Sequence, residues 1–168
     1  MNTTSLIVGN LCSLLAMVTD SISASRKTTK GVLLVQSLSQ LIYCTGTVIL
    51  KGYSGAVQNA VSILRNFVAI RGIRSKALEW FLVLLGVVLG IWCNNLGLLG
   101  YLPILANLQY TLAIFRFSDN ERALKFSFLV SVAMFALFNV AIYNIVGVLS
   151  NLTVLVTTAI FLIRSRKG

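Results

Sequence analysis

Histidine is absent from the 168 residues, and there is a single proline, Pro103. Four residues are acidic and only 11% of the chain is charged, against about 25% in an ordinary soluble domain. The three cysteines, Cys12, Cys44 and Cys93, sit in or beside apolar runs and form no C-x-x-C pair. Without histidine they cannot complete a common zinc site. A metal centre, a disulfide framework and a bound cofactor are therefore not expected. No nucleophile–base pair, glycine-rich phosphate loop or paired carboxylates can be read, so an enzyme is not expected either. What the chain has in abundance is apolar surface: 57% of residues are hydrophobic and the mean hydropathy is +0.89. Too little polar surface remains to cover a water-soluble globule, which excludes a soluble enzyme, a disordered tail and a collagen-like rod. The class implied is an all-α integral membrane protein, with the lipid bilayer as its first partner.

Seven apolar segments follow along the chain, at residues 6–19, 31–50, 53–70, 77–93, 96–115, 123–142 and 145–163. Most approach the roughly 20 residues that a spanning helix needs, though the first is short. The break at Tyr143–Asn144 is weak, and a six-span reading that fuses or drops one segment stays open. Basic residues test the count, because cytoplasmic loops collect Lys and Arg. Arg26, Lys27 and Lys30 follow the first segment; Arg71, Arg74 and Lys76 follow the third; Arg116, Arg122 and Lys125 flank the connection after the fifth; Arg164, Arg166 and Lys167 follow the seventh. Every second connection is thus basic, and between them these hold 12 of the 14 Lys and Arg residues. This pattern predicts an odd number of spans, the N-terminus outside and the C-terminus inside. It accounts for the formal charge of +10 without nucleic acid. Residues 1–25 lack the basic start of a signal peptide, so an uncleaved first span is expected.

The chain also resembles itself. Gly55-Ala-Val-Gln-Asn59 matches Gly147-Val-Leu-Ser-Asn151 at an offset of 92, and the basic clusters after the first and fifth segments fall near the same offset. The single membrane domain, 1–168, is accordingly expected to contain a three-helix repeat at 5–72, a linker helix at 77–94 and a second three-helix repeat at 96–165. Both triplets would start outside, as parallel repeats do in some transporters.

A 3+1+3 layout with basic loops after the first span of each half resembles the PQ-loop or MtN3-like superfamily, which includes the SWEET sugar carriers, the nicotinamide riboside carrier PnuC and the KDEL receptor. Within it the chain is most similar to the YgjV-type bacterial inner-membrane proteins. The residues behind this are the run Gly9–Leu15, Ser25-Arg26-Lys27 with Gln36, the stretch from Ile63 to Arg71, and Leu102-Pro103-Ile104. The resemblance implies two parallel three-helix bundles and a location in the bacterial inner membrane, multi-pass. The chain departs from the superfamily in having Ile104 rather than Gln after Pro103 and no proline in its first half.

Polar residues inside spans are the candidates for function, because an unsatisfied polar group in lipid is costly. Asn59 and Asn151 stand at matching positions of the third and seventh spans and would face each other across a pocket. In the sugar carriers asparagines on the corresponding spans line the binding site, and the resemblance implies the same here. The other role open to such amides is hydrogen bonding between helices. Gln36 and Gln40 lie four apart on one face of the second span, with Tyr43 beyond them. Arg65 lies five residues from the inner end of its span, about 7–8 Å at the helical rise, within reach of the headgroups by snorkelling; its functional alternative is an anion ligand or inner-gate contact. Pro103 and Asn107 lie four apart on the fifth span, where proline permits a kink. Asn139 and Asn144 fall near the outer end of the sixth. The four acids, Asp20, Glu79, Asp119 and Glu121, all map to connections or their edges, which disfavours a proton relay.

The expected function is a carrier that passes a small polar solute across the membrane by alternating access between the two repeats, by facilitated diffusion. The substrate contacts expected are Asn59, Asn151, Gln36, Gln40, Arg65 and Asn107. The alternative is a non-transporting membrane receptor or partner-binding protein of the same fold. A homo-oligomer is compatible with either.

Overall fold

Seven α-helices and one 3₁₀ helix follow in chain order, and among the described residues there is no strand. The computed structural model describes residues 2–24, 26, 28–73, 75–116 and 121–164. The helices are α1 (Thr3–Ala24), α2 (Thr29–Ile49), α3 (Tyr53–Ile70), α4 (Lys76–Trp92), α5 (Leu102–Arg116), α6 (Glu121–Ala141) and α7 (Ile145–Arg164). Lys27, Arg74, Asp119 and the tail from 165 onward lie outside the described residues.

Most of the expected segments appear as helices, and two depart from expectation for local reasons. The first was expected to stop at Thr19, with Asp20 in a loop. Instead α1 runs on to Ala24. The Thr19 and Ser21 hydroxyls donate to the carbonyls of Leu15 and Met17, four residues back, at 2.8 and 3.0 Å, so these polar side chains are satisfied within the helix. The fifth segment was expected as one span, in which Pro103 would permit a kink. It divides into a 3₁₀ helix, Gly97–Tyr101, and α5. Gly97 has φ +57°, and Pro103 sits in the first turn of α5, where its missing N–H costs no helical bond. No mid-span proline kink forms.

The break at 143–144 is a true turn, and it is built like the turn after α2. Among the described residues, Lys51 and Tyr143 are the two non-glycine residues with positive φ, at 58° and 57°. They are 92 residues apart. Lys51 N–H donates to Val48 and Gly52 N–H to Thr47, at 2.9 and 2.8 Å. Tyr143 N–H donates to Val140 and Asn144 N–H to Asn139, at 3.1 and 2.9 Å. Each pair satisfies the orphan carbonyls of a helix end. Asn144 Oδ1 then accepts from Gly147 N–H at 3.0 Å, capping the start of α7.

In sequence order, α1 packs on α2 and α2 on α3, α5 on α6 and α6 on α7. α4 lies against α3 and α5, and the cross-contacts run between α1 and α7 and between α3 and α5. One tie is explicit: Asn10 Nδ2 donates to Tyr143 O at 3.1 Å, and Val146 N–H donates to Asn10 Oδ1 at 3.0 Å. The packed core lies at this end, where Leu50, Phe138 and Ile142 are each 2% exposed, with Leu6, Leu96 and Leu102 against them. A Cβ on Gly55 would come within 2.7 Å of Phe138 Cζ, so the ring occupies the space that glycine leaves.

The exterior is apolar. Leu15, Phe81, Val88, Trp92 and Leu98 all stand exposed, the pattern of a surface that meets lipid or a partner. Among the described residues one helical stretch, Thr3–Ile22, is long and apolar enough to cross a membrane; those at Leu33–Ile49, Lys125–Ala141 and Ile145–Ile160 are shorter.

Candidate functional site: a polar cavity among six helices

A cavity of about 260 Å³ lies inside this apolar shell. Water occupies about 30 Å³ per molecule in the liquid, so the space corresponds to about nine waters, the scale of a small metabolite. Every helix except α4 contributes to its wall. α1 supplies Asp20; α2 supplies Gln40, Tyr43 and Thr47; α3 supplies Gly55, Asn59, Ser62 and Arg65. On the other side α5 supplies Asn107 and Tyr110, and α6 a mostly aromatic and apolar run including Phe128, Val132 and Phe135. α7 supplies Ser150, Asn151 and Val154. The spacings of three and four residues are those of one helix face.

Asn59 and Asn151 both line this cavity. Among the described residues no protein group hydrogen-bonds to either side-chain amide, and neither carries a fully enclosed unpaired atom. They are therefore not the glue between helices, and their donors and acceptors face open space. Gln40 lines the cavity, whereas Gln36, one turn earlier on α2, is not part of its wall. The structure thus brings Gln40 but not Gln36 to this cavity: the lining face of α2 steps from 40 to 43 and 47, and the step back to 36 leaves the wall.

Arg65 does not snorkel. Its Nη1 donates to Asn107 Oδ1 and Thr111 Oγ1 on α5, both at 3.4 Å, and the side chain borders the cavity. Neighbouring acceptors on α5 draw it across the bundle rather than along its own helix. Asn107 in turn donates to Gln58 Oε1 at 2.8 Å, and Gln58 Nε2 donates to the Gly86 carbonyl on α4 at 2.8 Å. Asn107 thus has both a structural bond and a place on the wall. A second void of about 20 Å³ adjoins this chain, bordered by Gln58, Arg65, Asn107 and Thr111, the scale of one water with polar partners.

Two features escaped the sequence reading. Asp20 faces the cavity and accepts a short hydrogen bond from the Ser39 hydroxyl. The inference that all four acids lie in connections is corrected at this residue, and the argument against a proton relay that rested on it goes with it. Gln58, 2% exposed, links α3 to α4 and α5; its place inside the repeated motif, beside Asn59, was the available signal. Asn139 and Asn144, expected near the outer end of the sixth span, line the cavity and are bonded to each other, Nδ2 of Asn144 to Oδ1 of Asn139 at 3.1 Å. Among the described residues no three His, Cys, Asp or Glu converge as a metal site would require.

A helical protein with an apolar exterior and a polar, metabolite-sized interior is the class that these features define. The chain belongs to the Imp-YgjV family of bacterial inner membrane proteins, whose model matches residues 7–168. No curated protein and no solved structure matches it.

Proposed function

We propose that the protein is a multi-pass carrier of a small polar solute, built as two parallel three-helix repeats around a linker helix, with the N-terminus outside and the C-terminus inside. The observation that carries this reading is one cavity walled by α1–α3 and α5–α7 and not by α4, into which Asn59 and Asn151 present amides free of protein partners. The repeat draws support from the matched turns at Lys51 and Tyr143. It draws more from the lining itself: Gln40 and Val132, Tyr43 and Phe135, Thr47 and Asn139, and Ser62 and Val154 all line the wall at the offset of 92. This fits the two-fold arrangement of a parallel-repeat transporter, with the solute between the halves. The proposed layout resembles that of the PQ-loop or MtN3-like superfamily. The packed Leu50, Phe138 and Ile142 close the end where α2 turns into α3. In this reading the protein has no catalytic task.

The closed end also favours a second reading, a receptor whose cavity never opens to that side. Transport decides between them. The purified protein is screened by thermal stability against sugars, nucleosides, vitamin precursors, amino acids and organic anions. A solute at 100 times its Kd stabilises by about 2.7 kcal/mol. Solutes that stabilise are then tested for counterflow in proteoliposomes. The carrier reading expects uptake that is lost in Asn59→Ala and Asn151→Ala; binding without uptake leaves the receptor.

A further inference from the structure

The cavity holds two opposite charges that do not meet. Arg65 has five N–H donors, and the acceptors it finds, Asn107 Oδ1 and Thr111 Oγ1, are neutral and at 3.4 Å, the long limit of a hydrogen bond. Asp20 accepts from the neutral Ser39 hydroxyl. Among the described residues neither side chain forms an ion pair. Charges partly withdrawn from water without a counter-charge are costly to the fold, and the neutral hydrogen bonds that each makes to a neighbouring helix do not neutralise it. The walls add a second asymmetry. At positions 92 apart, α2 offers Gln40 and Tyr43 where α6 offers Val132 and Phe135, so at this level α6 presents an apolar patch opposite polar groups.

We infer that the solute is a small amphiphilic zwitterion of the α-amino acid kind, its carboxylate on Arg65, its ammonium on Asp20 and its apolar side chain against the α6 wall. This rests on the carrier reading's cavity and names the substrate class for it. A guanidinium fork matches a carboxylate in a bidentate pair. A solute with an anionic group alone would leave Asp20 uncompensated, and one with a cationic group alone would leave Arg65 so. A zwitterion satisfies both and brings no net charge into the cavity. The available volume, about 260 Å³, suits a molecule of this size.

The test uses the full chain in detergent and reads binding by thermal stability and calorimetry. The probes are leucine, phenylalanine and serine, the N-acetyl and methyl-ester forms of leucine, and glucose and uridine as neutral solutes. Leucine and phenylalanine are expected to bind, with serine weaker. Either blocked form of leucine should bind weaker than leucine by about tenfold or more, as expected when a buried charge loses its partner. The variants should cross. Asp20→Asn should remove the penalty on N-acetyl-leucine and keep that on the ester, and Arg65→Gln should do the reverse; a merely structural role for either residue would shift all probes together. If Arg65→Gln fails to fold, the wild-type series of blocked forms decides alone. Equal binding of free and blocked leucine overturns the inference. So does binding of glucose or uridine that is lost in Asn59→Ala and indifferent to Asp20→Asn, which leaves the carrier reading standing. Leucine binding with no counterflow in proteoliposomes upholds the zwitterion site and overturns the carrier. Failure of every amino acid to bind overturns the inference, and counterflow across the wider panel then judges the carrier by itself.

Discussion

α2 and α6 end in the same turn, with Lys51 and Tyr143 at φ near +57° and equivalent backbone bonds on either side, yet two matched positions on the cavity wall differ in character. Gln40 and Tyr43 line it from α2, while Val132 and Phe135 line it from α6. The turn must satisfy carbonyls at a helix end, and only a few backbone geometries do so, which holds both copies to one form. The lining is read only by whatever enters the cavity, so nothing in the fold holds the two walls alike. The difference separates what the architecture needs from what a solute needs. The same division runs through the residues next to the turns. Gly46 on α2 corresponds to Phe138 on α6. A Cβ at Gly46 would approach Cys12 Cβ to 2.8 Å and the Gly9 carbonyl to 3.1 Å, so α2 lies close on α1. Phe138 instead fills the space beside Gly52 and Gly55.

The largest expected effect tests that packing. Phe138→Ala removes a ring that is 2% exposed and should cost about 3–5 kcal/mol, read by thermal or chemical unfolding in detergent; a change under about 1 kcal/mol would mean the ring is not a packing element. Its counterpart works by crowding rather than by loss. Gly46→Ala should cost about 1–3 kcal/mol, because the atoms in the way, Cys12 Cβ and the Gly9 carbonyl, are fixed to the α1 backbone and cannot swing aside. If Gly46→Ala is neutral, α1 and α2 are not in close contact at this point, and the contrast between the two helices is lost.

The turns are the place where the two helices should respond alike. A side chain at positive φ costs about 1–2 kcal/mol, partly offset by the greater freedom that glycine loses on folding. Lys51→Gly and Tyr143→Gly should each raise stability by about 0.5–1 kcal/mol. The gains should agree within a few tenths. A gain at one turn and a loss at the other would break the equivalence on which the repeat rests.

Much of this was legible in the sequence because hydrophobic runs and turn residues act locally. The bounds of α3 and the turn before α7 fell where apolar stretches met Gly52 and Asn144, and Gly55, Asn59, Gly147 and Asn151 announced the offset that the cavity wall repeats. What escaped was set by neighbours distant in sequence. Asp20 looked like a loop residue because a carboxylate ends an apolar run, but Ser39 on α2 receives it. Arg65 looked like a snorkelling residue because its depth allowed that, but Asn107 and Thr111, more than 40 residues on, lie within its reach. Gln58 was passed over because a buried glutamine shows its importance only through the Gly86 carbonyl and Asn107 that satisfy it.

The smallest expected change in stability is the most informative about function. Asn59→Ala and Asn151→Ala break no hydrogen bond among the described residues, and both side chains border open space rather than packed core. Each should therefore leave unfolding within about 0.5 kcal/mol of the wild type. Each should at the same time abolish most of the stabilisation that a bound solute confers, about 2.7 kcal/mol at 100 times its Kd. The two measurements must be made on the same preparation, because only their divergence carries the argument. A substitution that lowered stability by 2 kcal/mol or so before any solute was added would show the amide holding helices together, as asparagines between membrane helices can. If it happened at Asn59 and not at Asn151, the two halves would differ in their polar contacts as well as in their walls, and the solute would be recognised mainly from the α7 side. Equal neutrality at both, with equal loss of binding, would mean that the solute bridges the halves, which is what a carrier that closes around its cargo requires.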